Sequence, residues 1–361
     1  MARIDLEDVG HRYAGAGDTW ALRPLTMTWN DGGAYALLGP SGCGKTTLLN
    51  IISGLIAPTR GKVSFDGRDI TALAPEARNI AQVFQFPVVY DTMTVFDNLA
   101  FPLRNRGWTG TRLRQRVEEV AEILELRADL AHRARALSAD QKQKISLGRG
   151  LVRPDVAAVL FDEPLTVIDP HLKWLLRRKL KQIHQQLKLS LLYVTHDQTE
   201  ALTFADQVVV MSQGEIVQVG TPEQLFETPA HRFVGHFIGS PGMNFLACEW
   251  SGGAATIAGV RLETSSKQAP PAGTTLAIGV RPEYLELAAT PGPNRVPVRV
   301  AAIQDQGVHT MVRLEVGARS GVQSLAWAKL RSPNAAPASG TAFARLPPAR
   351  CALYADERRV L

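Results

Sequence analysis

Cysteine is scarce in this chain, with three in 361 residues, at Cys43, Cys248 and Cys351. So odd and dispersed a set argues against a disulfide framework and for a reducing compartment. Long apolar runs are also missing. The longest, such as 157–161, are of strand length, short of the roughly 18 residues that a membrane span takes. The opening residues, Met1-Ala2-Arg3-Ile4-Asp5-Leu6-Glu7, hold no apolar h-region, so no secretory signal is expected and the chain reads as cytosolic. Neither charge sign dominates. Lys and Arg number 40 against 34 Asp and Glu, and a net +6 over 361 residues is weak. The densest basic stretch, Arg104 to Arg116, alternates with apolar and polar residues as a solvated helical face does, which argues against a nucleic-acid footprint.

What is present is ordinary globular material, 45% hydrophobic and 20% charged, long enough for two or three domains. Strand-sized apolar runs at 34–38, 80–84, 157–161, 190–195 and 207–211 are separated by helix-length segments, the pattern of a parallel α/β sheet buried on both faces. From Leu113 to Leu126, the residues Leu113, Val117, Val120, Ile123 and Leu124 share one face of an amphipathic helix. The character changes after about residue 238. Half of the 22 prolines fall in the final third, and Val296, Val298 and Val300 alternate with other residues, as do Thr310, Val312, Leu314 and Val316. Short alternating strands with Gly/Pro turns predict a small β barrel or sandwich, with the boundary near Gly239-Ser240-Pro241-Gly242.

One glycine-rich segment carries specific chemistry. Gly39-Pro40-Ser41-Gly42-Cys43-Gly44-Lys45-Thr46 fits G-x-x-x-x-G-K-[ST], between the strand at 34–38 and a helix expected over 47–55. Glycines there let backbone N–H groups turn onto anionic oxygens at a helix N-terminus. Lys45 is expected to reach the β- and γ-phosphates of a nucleotide and Thr46 to ligate Mg²⁺. Cys43 reads as a small loop residue rather than a redox sensor. The strand at 157–161 runs into Asp162 and Glu163, placing Asp162 to hold Mg²⁺ and Glu163 beyond the metal, to polarise an attacking water. The strand at 190–195 ends at His196, which can donate a hydrogen bond to a γ-phosphate oxygen and orient the water. Gln85 is a candidate for contact with Mg²⁺ or that water. Taken alone, His196 and Gln85 are as readily structural.

In the order Gly39 to Thr47, Gln85, Leu137-Ser138-Ala139-Asp140-Gln141, 160–164, Ile168-Asp169 and His196, the chain resembles the ATP-binding-cassette ATPases. The resemblance implies an α/β P-loop NTPase cassette over 1–238, with a helical subdomain inserted at about 88–152, and ATP and Mg²⁺ as cofactors. It puts Gly39, Pro40, Ser41, Gly42, Cys43, Gly44, Lys45, Thr46 and Thr47 on the nucleotide and stacks Tyr13 on adenine. It assigns Thr46, Gln85 and Asp162 to the metal, Glu163, His196 and Gln85 to catalysis, and Asp169 to the D-loop. Further on, 239–245 and Ile278-Gly279-Val280-Arg281-Pro282-Glu283 are similar to the linker and barrel motif of carbohydrate-importer ATPases, such as the maltose and glycerol-3-phosphate systems. Residues 239–361 are then expected to form an OB-like, TOBE-type β domain. The segment 86–95 is similar to the subset linked with glycerol and related polyols.

For partners, the resemblance implies two membrane permease subunits, a second ATPase that shares two ATP molecules with this one, an external solute-binding protein reached indirectly, and no nucleic acid. The expected place is the cytoplasmic face of the membrane. A non-transport cassette ATPase and an ATP-switched regulatory module are the alternatives. The lack of a long coiled-coil insertion or second cassette argues against the first, and the presence of Glu163 and His196 against the second.

The family's signature is usually Leu-Ser-Gly-Gly-Gln; here Ser138, Ala139, Asp140 and Gln141 follow Leu137. Ser138 and Gln141 predict a capping box at the start of a helix running to about Val152. In the family this helix start faces the partner's γ-phosphate, so Asp140 sets an anion where an anion is to be received. The expectation is a heterodimer in which the second ATPase carries the intact signature and the site facing Ser138–Gln141 works poorly.

Overall fold

The computed structural model describes residues 2–15, 17–187, 189–266, 268–317, 324–331 and 340–360. The chain divides into two compact units, Met1–Pro222 and Glu223–Leu361.

The first unit is built on two sheets. Strands β1 (Ile4–His11), β2 (Leu22–Trp29), β4 (Arg60–Phe65) and β5 (Arg68–Asp69) form an antiparallel sheet in the order β2-β1-β4-β5. Strands β3 (Ala34–Leu38), β6 (Ala81–Val83), β7 (Val159–Asp162), β8 (Leu191–Thr195), β9 (Gln207–Ser212) and β10 (Glu215–Gly220) form the second, in the order β10-β9-β3-β8-β7-β6. Five of these six run parallel, as the doubly buried apolar runs require, and only β10 pairs antiparallel, with β9. Helix α1 (Lys45–Ser53) shares one core with both sheets: Leu48, Ile51 and Ile52 pack with Ile4, Leu6 and Val63 of the first and Leu37, Leu160 and Val194 of the second. The buried Arg78 closes its far end, donating to the carbonyl oxygens of Ile51 at 2.8 Å and Ile52 at 3.0 Å. The phosphate loop therefore starts a helix anchored at both ends.

Three helices, α2 (Val95–Arg104), α3 (Gly110–Ile123) and α4 (Ala139–Leu151), lie between β6 and β7. They pack closely because α4 carries Gly148, where a Cβ would stand 2.4 Å from Leu99 Cδ2 and 3.0 Å from Leu124 Cδ1. Helices α5 (Pro170–Leu187) and α6 (Gln198–Phe204) flank β8 in sequence.

In the second unit, α7 (Pro222–Glu227) and α8 (Arg232–Phe237) precede β11 (Asn244–Ala247), β12 (Glu249–Ser251), β13 (Ala254–Ile257), β14 (Val260–Leu262) and β15 (Leu276–Val280). Then follow β16 (Glu286–Ala288), β17 (Arg295–Asp305), β18 (Thr310–Val316), β19 (Ser324–Leu330), β20 (Thr341–Arg345), β21 (Cys351–Ala355) and β22 (Arg358–Arg359). Sheets β11-β15-β21-β22, β12-β13-β14 and β16-β20-β17-β18-β19 wrap a single core that includes Leu246, Ile257, Ile278, Val298, Leu314 and Leu353. Edge strands β11 and β19 are joined through Asn244, whose amide donates to the Trp327 carbonyl and accepts from the Trp327 N–H, each at 2.8 Å. The structural division falls at Pro222, earlier than the expected boundary at 238/239. Arg281, 1% exposed, accounts for the difference: its guanidinium donates to the carbonyls of Phe226 at 2.9 Å and Gly235 at 2.9 Å, and also to that of Ile238, which binds the helical segment to the β unit.

Candidate active site

The phosphate loop is shaped by three glycines. Gly44 takes φ 101° at the start of α1, and a Cβ there would lie 2.5 Å from the Ala21 carbonyl oxygen. At Gly39 a Cβ would lie 2.3 Å from the Met211 carbonyl oxygen, whereas at Gly42 it would meet nothing within 4 Å. Two glycines thus let the loop press on its scaffold while the third leaves its outer face open. Helix α1 has no side-chain cap and no acidic residue in its first turn, so its N–H groups and positive dipole end are left for an anion. Ser41, Gly42, Gly44, Lys45, Thr46 and Thr47 line a cavity of about 330 Å³ together with Tyr13, Ala21 and Glu163.

Lys45 is 5% exposed, and its Nζ donates to the carbonyl oxygens of Gly39 at 2.8 Å and Pro40 at 3.0 Å. Cys43 is buried behind it. Burial pushes that thiol up and the neighbouring Lys45 only partly opposes the shift, so the thiolate a redox sensor needs is disfavoured.

Opposite the loop, Thr46 Oγ1 donates to Asp162 Oδ1 at 3.1 Å. Burial holds the Asp162 carboxyl above the usual carboxylate range, against the Thr46 hydrogen bond, and the Glu163 charge adds to the rise. A carboxylate so poorly compensated favours a cation beside it. Hydroxyl and carboxylate oxygens are the hard donors Mg²⁺ takes. Among the described residues no group of three or more His, Cys, Asp or Glu could hold a metal by itself. The pair Thr46–Asp162 therefore fits an ion whose remaining positions come from phosphate and water.

Glu163 stands at the centre. Its φ of 46° is the left-handed region, costing a non-glycine residue about 1–2 kcal/mol, and its N–H is held by the Val194 carbonyl at 2.9 Å. Three side chains converge on one oxygen, Oε2: His196 Nδ1 at 3.0 Å, Thr166 Oγ1 at 3.4 Å and Gln85 Nε2 at 3.5 Å. The structure thus brings Gln85, Glu163 and His196 together from three strand ends, as expected. Thr166 was not foreseen. The only sequence signal for it is a hydroxyl three residues after Glu163.

Tyr13 lies just past the end of β1, half-exposed, with Oη 3.1 Å from Thr47 Oγ1 and its ring edge-on to His11 at 4.7 Å. Asp169 immediately precedes α5, and its carbonyl accepts from Lys173 N at 3.0 Å. The capping box at α4 forms as expected: Ser138 Oγ accepts from Gln141 N at 3.3 Å, and Gln141 Oε1 accepts from Ser138 N at 3.1 Å. Asp140 leans back along its own helix, with Oδ2 3.8 Å from Lys144 Nζ and Oδ1 buried without a hydrogen-bond partner. Lys144 Nζ lies 3.9 Å from Glu125 Oε2, and Glu125 Oε1 pairs with Lys179 of α5 at 2.5 Å. Sequence reasoning missed this chain of charges, whose members lie on three separate segments.

A phosphate loop on a mostly parallel sheet, facing a strand-end carboxylate pair and a histidine, defines a nucleoside-triphosphate hydrolase. Residues 22–166 match the model of the ABC transporter family, 239–285 that of the MalK OB fold domain and 278–353 that of the TOBE domain. The chain belongs to the ABC transporter family, as one of its ATPase subunits. It is 39% identical over 330 residues to the sn-glycerol-3-phosphate import ATP-binding protein UgpC of Pectobacterium atrosepticum, an alignment covering 91% of each chain. With the UgpC of Yersinia pestis it shares 38% identity over 352 residues, 97% of this chain and 96% of the other. Among solved structures it is similar to the dimeric post-hydrolysis state of the ATP-binding cassette MJ0796 bound to ADP and Pi, at 26% identity and a TM-score of 0.55, covering 61% of this chain and 98% of that one. Among the described residues no helix is long and apolar enough to cross a membrane.

Proposed function

We propose that this chain hydrolyses MgATP at the cytoplasmic face of a membrane to drive uptake of sn-glycerol 3-phosphate through two separate permease subunits fed by an external binding protein. The observation that carries the chemistry is the convergence on Glu163 Oε2 beside the Thr46–Asp162 pair. Lys45 and the N–H groups of 39–47 hold the phosphates, and Tyr13 stacks on the base. Thr46, Asp162 and Gln85 would hold Mg²⁺, which when bound would neutralise phosphate charge. Glu163 orients the attacking water and takes up its proton, while His196 donates to the γ-phosphate oxygen that gains charge. Asp169 sits at the partner-facing loop ahead of α5. The solute rests on the names of the relatives, which this chain matches along more than nine tenths of their length.

The second ATPase of the assembly is a different chain with an intact signature, because Ala139 and Asp140 replace both signature glycines here. Reconstitution tests the solute. Vesicles containing this chain, its partner ATPase and the permeases encoded with it should take up labelled sn-glycerol 3-phosphate in an ATP-dependent manner. Uptake of maltose or free glycerol instead would overturn the substrate assignment, and assembly with full turnover from this chain alone would overturn the heterodimer.

A further inference from the structure

The mechanism above leaves one buried carboxylate unused. Glu200, in the first turn of α6, is 4% exposed, and among the described residues no cationic side chain forms an ion pair with it. Its Oε2 accepts two hydroxyls at once, Tyr193 Oη at 3.1 Å and Thr195 Oγ1 at 2.8 Å. The Tyr193 bond lies within an aromatic cluster, where that ring packs between Phe161 at 5.9 Å and Phe204 at 5.0 Å. The Thr195 bond leads elsewhere. Thr195 Oγ1 in turn accepts the Asp197 N–H at 3.0 Å, and Asp197 Oδ1 accepts the N–H groups of Thr199 at 2.7 Å and Glu200 at 3.3 Å. Glu200, Thr195 and Asp197 therefore form a closed hydrogen-bonded loop, and its chain passes through His196. Both neighbours of His196 are tied down, although the imidazole itself is 53% exposed. With Thr195 and Asp197 held, the ring stands 3.0 Å from Glu163 Oε2 rather than swinging in solvent.

A buried carboxylate is costly compared with an apolar residue of the same volume, so packing alone does not explain it. An acceptor that can take two donors at one oxygen does. The geometry points to Glu200 as a positioning residue for the ATPase reaction, acting through the Thr195 hydroxyl to hold the turn that aims His196 at Glu163 and the γ-phosphate. Tyr193 donates to the same oxygen from the aromatic cluster and makes no bond to the turn. The inference rests on the role given to His196 above, and it adds a link that the phosphate-loop motifs do not contain.

The two bonds allow a matched comparison in the full-length chain. Glu200→Ala and Thr195→Val both cut the link to the turn. Tyr193→Phe removes a buried hydrogen bond from the same carboxylate and spares it. Glu200→Gln keeps an acceptor oxygen. We expect Glu200→Ala and Thr195→Val to lower kcat for ATP about tenfold or more with KM nearly unchanged, since misplacing a catalytic group by about 1 Å costs up to a hundredfold. Tyr193→Phe should keep wild-type kcat, and Glu200→Gln should recover most of it. A second readout needs no nucleotide: in imidazole ¹⁵N–¹H spectra, with His196 assigned through His196→Ala, its signals should move in Glu200→Ala and Thr195→Val and stay in Tyr193→Phe. Equal losses in Tyr193→Phe and Thr195→Val, or unmoved His196 signals in Glu200→Ala, would overturn the inference. If His196→Ala itself turns over normally, it is the assignment of His196 that fails.

Discussion

Asp140 offers a quantitative test of how the signature helix meets its partner. A carboxylate and a phosphate charge about 4 Å apart repel by about 4 kcal/mol at an effective dielectric of about 20. In the wild-type chain Lys144 offsets part of that repulsion. Lys144 Nζ lies 3.8 Å from Asp140 Oδ2, on the same helix one turn further in. A positive charge about 8 Å from the same phosphate returns about 2 kcal/mol, leaving about 2 kcal/mol of net repulsion. Because Lys144 stays charged when Asp140 is neutralised, removing the carboxylate is worth its own term of about 4 kcal/mol, about a thousandfold in an association equilibrium. Asp140→Asn removes the charge at nearly constant size, and its cost to the helix is the first-turn charge, about 0.3–1 kcal/mol, plus the i,i+4 pair, about 0.2–0.5 kcal/mol. Asp140→Gly adds about 1 kcal/mol of helix penalty, which falls on folding rather than association. The assay is ATP-dependent association followed by sedimentation, in a Glu163→Gln background that keeps ATP intact. Asp140→Asn should tighten association by up to about a thousandfold, with the gain shrinking as salt rises. Equal association of Asp140→Asn and its parent would show that the Asp140 charge does not act on the partner's phosphate, and would remove the reason for assigning this chain a weak composite site.

Two further expectations follow from the same geometry. Lys45→Ala should weaken ATP binding itself, measured by titration with a fluorescent ATP analogue, because the proposed role of Lys45 is a charge-assisted phosphate contact; unchanged affinity would contradict that role. In α2, the Thr94 hydroxyl holds the Asp97 carboxyl below its usual range against the opposing effect of burial, with Arg104 adding to the lowering. A depressed folded-state value means that the stabilisation is present above about pH 4 and is lost as pH falls through the folded value. Asp97→Asn should therefore cost about 0.5 kcal/mol in urea melts at pH 7, and progressively less as pH falls below about 4 towards the folded value.

The parts legible in the sequence were those with local causes. The loop 39–46, the parallel strands and the Ser138–Gln141 capping box each depend on residues a few positions apart. The helix after the loop was expected at 47–55 and spans Lys45–Ser53, because Gly44 at φ 101° starts it and Gly54 at φ 84° stops it. The antiparallel sheet around β1 was not foreseen. Register shifts between Leu6 and Val9 and again between Val9 and His11 break the alternation that announces a half-buried strand. The placement of 223–238 with the β unit depends on Arg281, more than forty residues further on. Glu200 reads as an ordinary helix glutamate until the fold folds its oxygen beneath Thr195.

Glu163, gathered by His196, Gln85 and Thr166, is the group proposed to turn a bound ATP into a hydrolysed one. Glu163→Gln in the assembled transporter tests that role most directly, through ATP occupancy and single-turnover hydrolysis of labelled ATP measured on the same sample. Near-wild-type ATP binding is expected, with the nucleotide retained as ATP and hydrolysis at this chain's phosphate loop slowed at least a hundredfold, the lower end of the range for losing a general base. Hydrolysis at the wild-type rate from that loop would contradict it.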